Sequence, residues 1–138
     1  MKVNVLWMVM AAGLALAGCN RAESPAETQQ DVADARAEGQ RDMADAQADA
    51  QESMADAQRD AADAGADGGT GDATQEASET AADSSYKVAV AQAEATHRIA
   101  TEKCDAMSGA AQDDCKERAD AELERAKRDA EARRDGTG

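Results

Sequence analysis

Residues 31–58 carry three copies of an 11-residue pattern in which one larger apolar residue lies among alanines and acidic residues. Val32, Met43 and Met54 hold the larger position in the successive copies. Because 11 residues make three helical turns plus roughly 20°, these positions return to almost the same face and wind slightly to the right. The pattern predicts one long alanine-rich helix over 25–64 with a thin apolar stripe.

After residue 84 the apolar positions are spaced alternately by four and three residues, which is typical of a heptad stripe on a helix. A Ser-Gly pair at 108–109 interrupts this helix, and a second stripe follows it. The two stripes predict a helical hairpin over 84–134. The first stripe consists of Tyr86, Val90, Ala93, His97, Ala100, Cys104 and Met107, and the second of Cys115, Ala119, Leu123, Ala126 and Ala130.

Local signals between these patterns predict where the segments begin and end. Ser24 and Glu27 are spaced as a capping box around Pro25, which suits the first helical position. Four glycines between residues 65 and 71 predict a helix stop and a flexible linker over 65–83, in which the acidic, polar residues 72–83 stay loose or form a transient helix. Residues 135–138 are expected to form a disordered tail.

The composition excludes an ordinary globular domain. Residues 19–138 contain 32 alanines but only nine larger apolar side chains. Burying such a side chain contributes about 1.5–3 kcal/mol, whereas ordering each backbone residue costs about 1–2 kcal/mol. The fold class expected is therefore all-α, extended and partly disordered, because alanine and long polar residues favour helix.

Charge separates two segments and limits the classes of function. Residues 23–83 contain 17 acidic residues against three arginines, whereas residues 84–138 contain 12 acidic and 10 basic residues. Binding to nucleic acid and direct adhesion to anionic lipid both require basic groups. The strongly acidic segment therefore argues against both partners. With one histidine, no phosphate-binding glycine loop and no core to exclude water, we expect no enzyme, no catalytic residue, no cofactor and no small-molecule substrate.

Cys104 and Cys115 lie on either side of the Ser-Gly break. On a straight helix their Cα atoms would be about 16 Å apart, beyond the roughly 4.4–6.8 Å that a disulfide allows. An intrachain disulfide therefore requires the hairpin turn, which the sequence supplies. A disulfide between two chains and a metal site that adds His97 remain as alternatives, although zinc sites use closer paired spacings and a fourth ligand.

The beginning of the chain carries an export signal. An apolar run over 3–15 follows one lysine, and as a helix it would rise about 20 Å, short of the roughly 30 Å hydrocarbon core of a membrane. It therefore has the form of a signal peptide. The motif after it, Leu16-Ala17-Gly18-Cys19, resembles the lipobox of bacterial lipoproteins.

The lipoprotein resemblance implies a location and a modification. Cys19 would receive a diacylglyceryl group on its sulfur, residues 1–18 would be removed, and the new amine would be acylated. The membrane would then be a partner of this chain, bound through the lipidated Cys19, and residues 19–24 would form the tether to it. Asn20 stands where an aspartate would signal retention in the inner membrane, which implies the periplasmic leaflet of the outer membrane.

Two further resemblances concern the mature part. The block from Tyr86 to Glu117 resembles a tail of small exported proteobacterial proteins, rich in alanine and described as cell-envelope or TolA-like. The 11-residue repeats look like those of late-embryogenesis-abundant proteins, which are linked to desiccation tolerance.

These features favour a non-enzymatic lipid-anchored spacer whose hairpin, held away from the membrane, meets an envelope protein, with a homo-oligomer as a further possibility. A stress or desiccation protectant is the alternative. Weak binding of divalent cations by the acidic repeats is a second alternative, without a defined metal site.

Overall fold

The computed structural model describes residues 22–66 and 70–136, which form three helices. Helix α1 spans Pro25–Ala66, α2 spans Thr70–Asp105, and α3 spans Ala110–Arg134. Successive helices run antiparallel, and α2 packs against both of the others. Within the described residues α1 and α3 do not contact each other, so they lie on opposite sides of α2. The all-α prediction is confirmed.

The start of α1 has the predicted capping box. The backbone N–H of Ser24 donates to Glu27 Oε2 at 3.1 Å, and the N–H of Glu27 lies 3.4 Å from Ser24 Oγ. Hydrogen bonds from the side chain and backbone of Ser24 lower the pKa of the Glu27 carboxyl. Two N–H groups that have no partner inside the helix are thereby satisfied, which fixes where α1 begins.

The buried line of α1 follows the 11-residue repeat. Val32 and Ala35 are buried, whereas Met43 and Met54 are half-buried on the same stripe. Besides the positions held by Val32 and Ala35, each repeat has a further position that faces inward and carries a small residue. It is occupied in successive copies by Thr28, Gly39 and Ala50, all of them buried.

Helix α2 presents small residues to α1 with the same spacing. Ala73, Ser84 and Ala95 are 11 residues apart, and the last two are buried. Ala95 lies opposite Gly39, and Ser84 lines a shallow groove with Ala50. A step of 11 residues forward in α1 therefore matches a step of 11 residues backward in α2. This shared register keeps the two helices together over most of their length.

The closest approach of the two helices is at Gly39. A Cβ atom built on Gly39 would lie 2.7 Å from the Cβ of Ala95 and 3.3 Å from its Cα. Neither atom belongs to a flexible side chain, so a larger residue could fit only if a helix moved. Arg98, one turn from Ala95, lies 3.0 Å from Asp42 and 3.4 Å from Glu38 across the same interface.

The flexible linker predicted over 65–83 is wrong for most of its length. Helix α1 continues to Ala66, and α2 begins at Thr70. Ala73 and Thr80 line a groove with Ala57 of α1, so this part of α2 packs on the last turns of α1. Acidic and polar composition indicated a loose segment, but small residues at the inward positions allow it to pack as a helix.

The extended fold predicted from the composition also differs from the structure, in which α1 packs against α2. Helix α1 folds back along α2 instead of separating a membrane anchor from a distant hairpin. As a result, the start of α1 lies beside the turn between α2 and α3: the N–H of Glu23 donates to the carbonyl of Asp105 at 2.9 Å. At 1.5 Å per residue, α1 is about 60 Å long, and α2 lies along most of this length.

We predict that Gly39→Ala destabilises the protein although alanine is the better helix former. Alanine gains up to about 1 kcal/mol of helix propensity, whereas overpacking a close contact costs about 1–3 kcal/mol. We expect a net loss of about 1 kcal/mol in the free energy of unfolding, measured by urea denaturation.

The matched control is Gly71→Ala, because nothing lies within 4 Å of a Cβ built there. This substitution should leave stability unchanged or raise it slightly. The double variant Gly39→Ala/Ala95→Gly should be more stable than the sum of the two single effects. Additive effects would contradict a direct contact between the two positions.

Candidate functional site

The turn between α2 and α3 is closed by a disulfide between Cys104 and Cys115. Their Cα atoms are 5.6 Å apart, and Cys104 is 1% exposed at the end of α2. Residues 106–109 connect the helices, and Gly109 has a φ of 59°, a left-handed conformation that suits glycine. Both cysteines thus lie where the sequence placed them, on either side of the break, and they are joined within one chain.

A polar network lies directly beside the disulfide. The carboxylate of Asp105 accepts a hydrogen bond from Gln112 Nε2 at 2.7 Å and pairs with Lys116 Nζ at 2.7 Å. The hydrogen bond to Asp105 is the main reason that the pKa of Lys116 is raised. Gln112 is buried, and its N–H also donates to the carbonyl of Gly109. These contacts connect the end of α2 to the first turns of α3.

Glu23 joins this end of the molecule from the side of α1. Its backbone N–H bonds to Asp105, as described above, whereas its Oε2 atom is buried without a hydrogen-bond partner among the described residues. Loss of solvation raises the pKa of this carboxyl, and nearby acids, Asp31 and Asp105 first among them, raise it further. The ionised form of Glu23 is therefore disfavoured in the folded chain.

Beyond the disulfide, away from the turn, side chains of α2 and α3 contact each other along the predicted hairpin. His97 is partly exposed there, with Nε2 2.6 Å from Asp120 Oδ1. Further along, Lys127 Nζ pairs with Glu94 at 3.0 Å. At the end of α3 the guanidinium of Arg134 lies over the ring of Tyr86, 4.8 Å from its centroid. These three contacts, a hydrogen bond, an ion pair and a cation over an aromatic ring, fix the register of α3 on α2.

An open groove of about 350 Å³ runs between α2 and α3. Its floor includes Ala93 and Ala100 of the first heptad stripe and Leu123 and Ala126 of the second. Because these side chains are short, α2 and α3 leave a shallow apolar depression between them. It offers a surface on which another helix could pack.

The geometry at Cys104 and Cys115 favours an intrachain disulfide over a metal site or an interchain disulfide. His97 contacts Asp120, and the two cysteines bond to each other, so the three residues do not form a ligand set. No group of three or more His, Cys, Asp or Glu side chains suited to a metal ion occurs in 22–66 and 70–136. The intrachain pairing also leaves neither sulfur available for a bond to a second chain.

Sequence reasoning missed three residues of this site: Glu23, Asp105 and Gln112. Asp105 and Gln112 are polar residues beside a turn, which is common in loops, and Glu23 comes near them only because α1 packs along α2.

Lipobox residues 16–19, including Cys19, lie outside the described residues. Within the part of the chain that the structure describes, no helix is long and apolar enough to cross a membrane. Comparison with protein-family models, curated proteins and solved structures finds no match to this chain.

We predict that the disulfide stabilises the fold substantially. Closing a loop of this size should contribute about 3 kcal/mol by restricting the unfolded chain. The double variant Cys104→Ser/Cys115→Ser should therefore unfold at lower urea concentration than the oxidised protein. Reductant should destabilise the wild type to the same extent and leave the double variant unchanged. A wild type that is insensitive to reductant would contradict this role.

We predict that Glu23→Gln stabilises the protein at neutral pH. The pKa of Glu23 is raised on folding, so its carboxylate opposes folding at a pH above that pKa, and an amide removes this penalty. At a pH below the unfolded pKa the wild-type carboxyl is already neutral, and the difference should disappear. Urea unfolding at several pH values measures this.

Removing any negative charge could stabilise a chain with a net charge of −14. Glu52→Gln is the control, because Glu52 is exposed on α1 and far from the disulfide-closed end. Stabilisation by Glu23→Gln should exceed that by Glu52→Gln at neutral pH. Equal effects would show that net charge alone is responsible.

Proposed function

We propose that this chain is a non-enzymatic bacterial lipoprotein, anchored through Cys19 in the periplasmic leaflet of the outer membrane, that acts as a helical spacer or envelope-interaction protein. The observation that carries the proposal is the motif Leu16-Ala17-Gly18-Cys19 at the end of a short apolar run. Only five residues separate Cys19 from Pro25, where α1 begins. A folded rod thus starts almost directly at the proposed anchor.

The packing of the helices into a rod supports a spacer whose length is set by α1 and α2. Helices α1 and α2 run side by side for about 50 Å, which is close to the length of the shorter helix, α2. Helix α3 ends near Tyr86, so among residues 22–66 and 70–136 the part of the rod farthest from Glu23 is formed by α1 and α2. In the proposed orientation the α1–α2 end projects into the periplasm, and the disulfide-closed end lies near the membrane.

The open groove between α2 and α3 is the surface proposed for an envelope partner or for a second copy of this chain. Its apolar floor accepts a helix, and charged residues such as Arg125 and Asp129 lie at its edges. Interfaces between proteins commonly combine an apolar centre with such a polar rim. The groove thus supplies a contact surface without any requirement for catalysis.

The packing of α1 on α2 favours the spacer over the desiccation protectant. A protectant of the disordered type would be a coil in dilute buffer and become helical on drying. The matched 11-residue register instead gives α1 a partner inside the same chain. Circular dichroism of the soluble mature form would distinguish the two: strong helicity with cooperative melting in dilute buffer supports the spacer.

We predict that Cys19→Ala abolishes lipidation. Cells grown with a clickable palmitate analogue should label the wild-type chain and leave the variant unlabelled, because the acylated sulfur is absent. The variant should also retain residues 1–18, which intact mass measurement detects. The control Cys104→Ala/Cys115→Ala should label normally, since its lipobox is unchanged.

The location is tested by density separation of the two membranes. The wild type should sediment with the outer membrane, and Asn20→Asp should shift the protein to the inner membrane. A wild-type chain that is neither labelled nor bound to membranes would overturn the proposed function.

A further inference from the structure

The turn between α2 and α3 differs from the rest of this highly charged chain. Residues 106–112 carry no charge, and residues 106–111 are all exposed. Met107, 40% exposed, is the large hydrophobic residue that the described chain leaves in solvent. The chain has few large apolar side chains, and the other described ones are at least half-buried. The packing of the helices therefore does not explain why Met107 is exposed.

This turn lies close to the proposed lipid anchor. Three residues lie between Cys19 and Glu23, and the four steps of extended chain from one Cα atom to the other span at most about 14 Å. The N–H of Glu23 is 2.9 Å from the carbonyl of Asp105, which is two residues from Met107. An acylated Cys19 would therefore hold the turn near the surface of the membrane into which its acyl chains insert.

Apolar surface continues from Met107 along the helices. An open groove of about 460 Å³ extends from Met107 past Ile99 and Ala100. Lys103 and Arg118 line the same groove, and both are exposed. Long cationic side chains beside an apolar surface can extend to lipid phosphates while their stems stay among apolar groups.

The charges at this end select the kind of lipid. Asp113 and Asp114 are exposed in the first turns of α3, and Glu23 and Asp105 lie beside them. With Glu102 and Glu117 included, the acids at this end outnumber its three cations, Lys103, Arg118 and the Lys116 that pairs with Asp105, so a strongly anionic surface would repel this end. A zwitterionic headgroup carries a phosphate for Lys103 and Arg118 and an ammonium group for the carboxylates.

We propose that the exposed turn at residues 106–111 is a second membrane contact, in which Met107 enters the headgroup region of a zwitterionic phospholipid surface and holds the rod upright on its lipid anchor. The proposal rests on the proposed lipidation of Cys19. One methionine is too small an apolar group to bind a membrane by itself. Tethering by Cys19 makes the contact intramolecular, which raises its effective concentration.

Tryptophan fluorescence can test this contact in the full lipidated chain. The single tryptophan, Trp7, lies in the segment that processing would remove, so Met107→Trp would give a mature protein with one tryptophan. Met107 is exposed, and the larger side chain should be tolerated there; circular dichroism checks the fold. Ala62→Trp is the matched control, because Ala62 is exposed in α1 near the opposite end of the rod.

The two proteins are incorporated into phosphatidylcholine vesicles with and without bromine atoms on the acyl chains. We expect a blue-shifted emission and several-fold stronger quenching by brominated lipid for residue 107 than for residue 62. Replacing part of the lipid with phosphatidylglycerol should reduce the quenching at residue 107, because the acidic end is repelled.

Vesicle flotation and intact mass separate the failures of the two proposals. Acylated protein that floats with vesicles but shows no quenching at residue 107 overturns the membrane contact and leaves the lipoprotein proposal in place. Equal quenching at both positions also overturns it, because the rod would then lie flat. Protein isolated from cells without acyl chains overturns the lipoprotein proposal and, with it, this inference.

Discussion

The fold depends on the close packing of small side chains between α1 and α2. A chain with so few large apolar residues gains little from burying any one of them. It can compensate by bringing two helices close together along a long interface, where many weak contacts add up. Gly39 opposite Ala95 and Ala50 beside Ser84 make this approach possible. Because small residues recur every 11 residues on the facing sides of both helices, one register satisfies all these positions together.

This register determines what lies at each end of the molecule. It brings Glu23 to Asp105 and so connects the start of α1 with the turn that the Cys104–Cys115 disulfide closes. Three helices, a covalent bond and a polar network meet there. Of the described helices, α1 and α2 reach the opposite end, and acidic residues predominate there in both of them. An anchor attached just before α1 would therefore be joined to the most strongly cross-linked part of the fold.

Features encoded by residues near one another in sequence could be predicted, and features that depend on the pairing of helices could not. The capping box at Ser24 and the turn between Cys104 and Cys115 are local, and the structure has both. The partner of α1 was not predicted, because the inward positions of α2 are alanine and serine, which are common throughout the chain. The same reason explains the error over residues 70–83. Gly39 inside a strong helical repeat was the available signal for close packing.

Repulsion between carboxylates opposes helix packing more strongly at one end of the rod than at the other. Carboxylates four residues apart on one helix face, such as Asp45 and Asp49, disfavour an isolated helix. Near the middle of α1, Arg98 of α2 lies between Glu38 and Asp42 and offsets this repulsion. Residues 72–83 of α2 supply four acids and no base to the far end. We therefore expect local stability to decrease from the disulfide-closed end toward the α1–α2 end, with local opening beginning where the charges are least compensated.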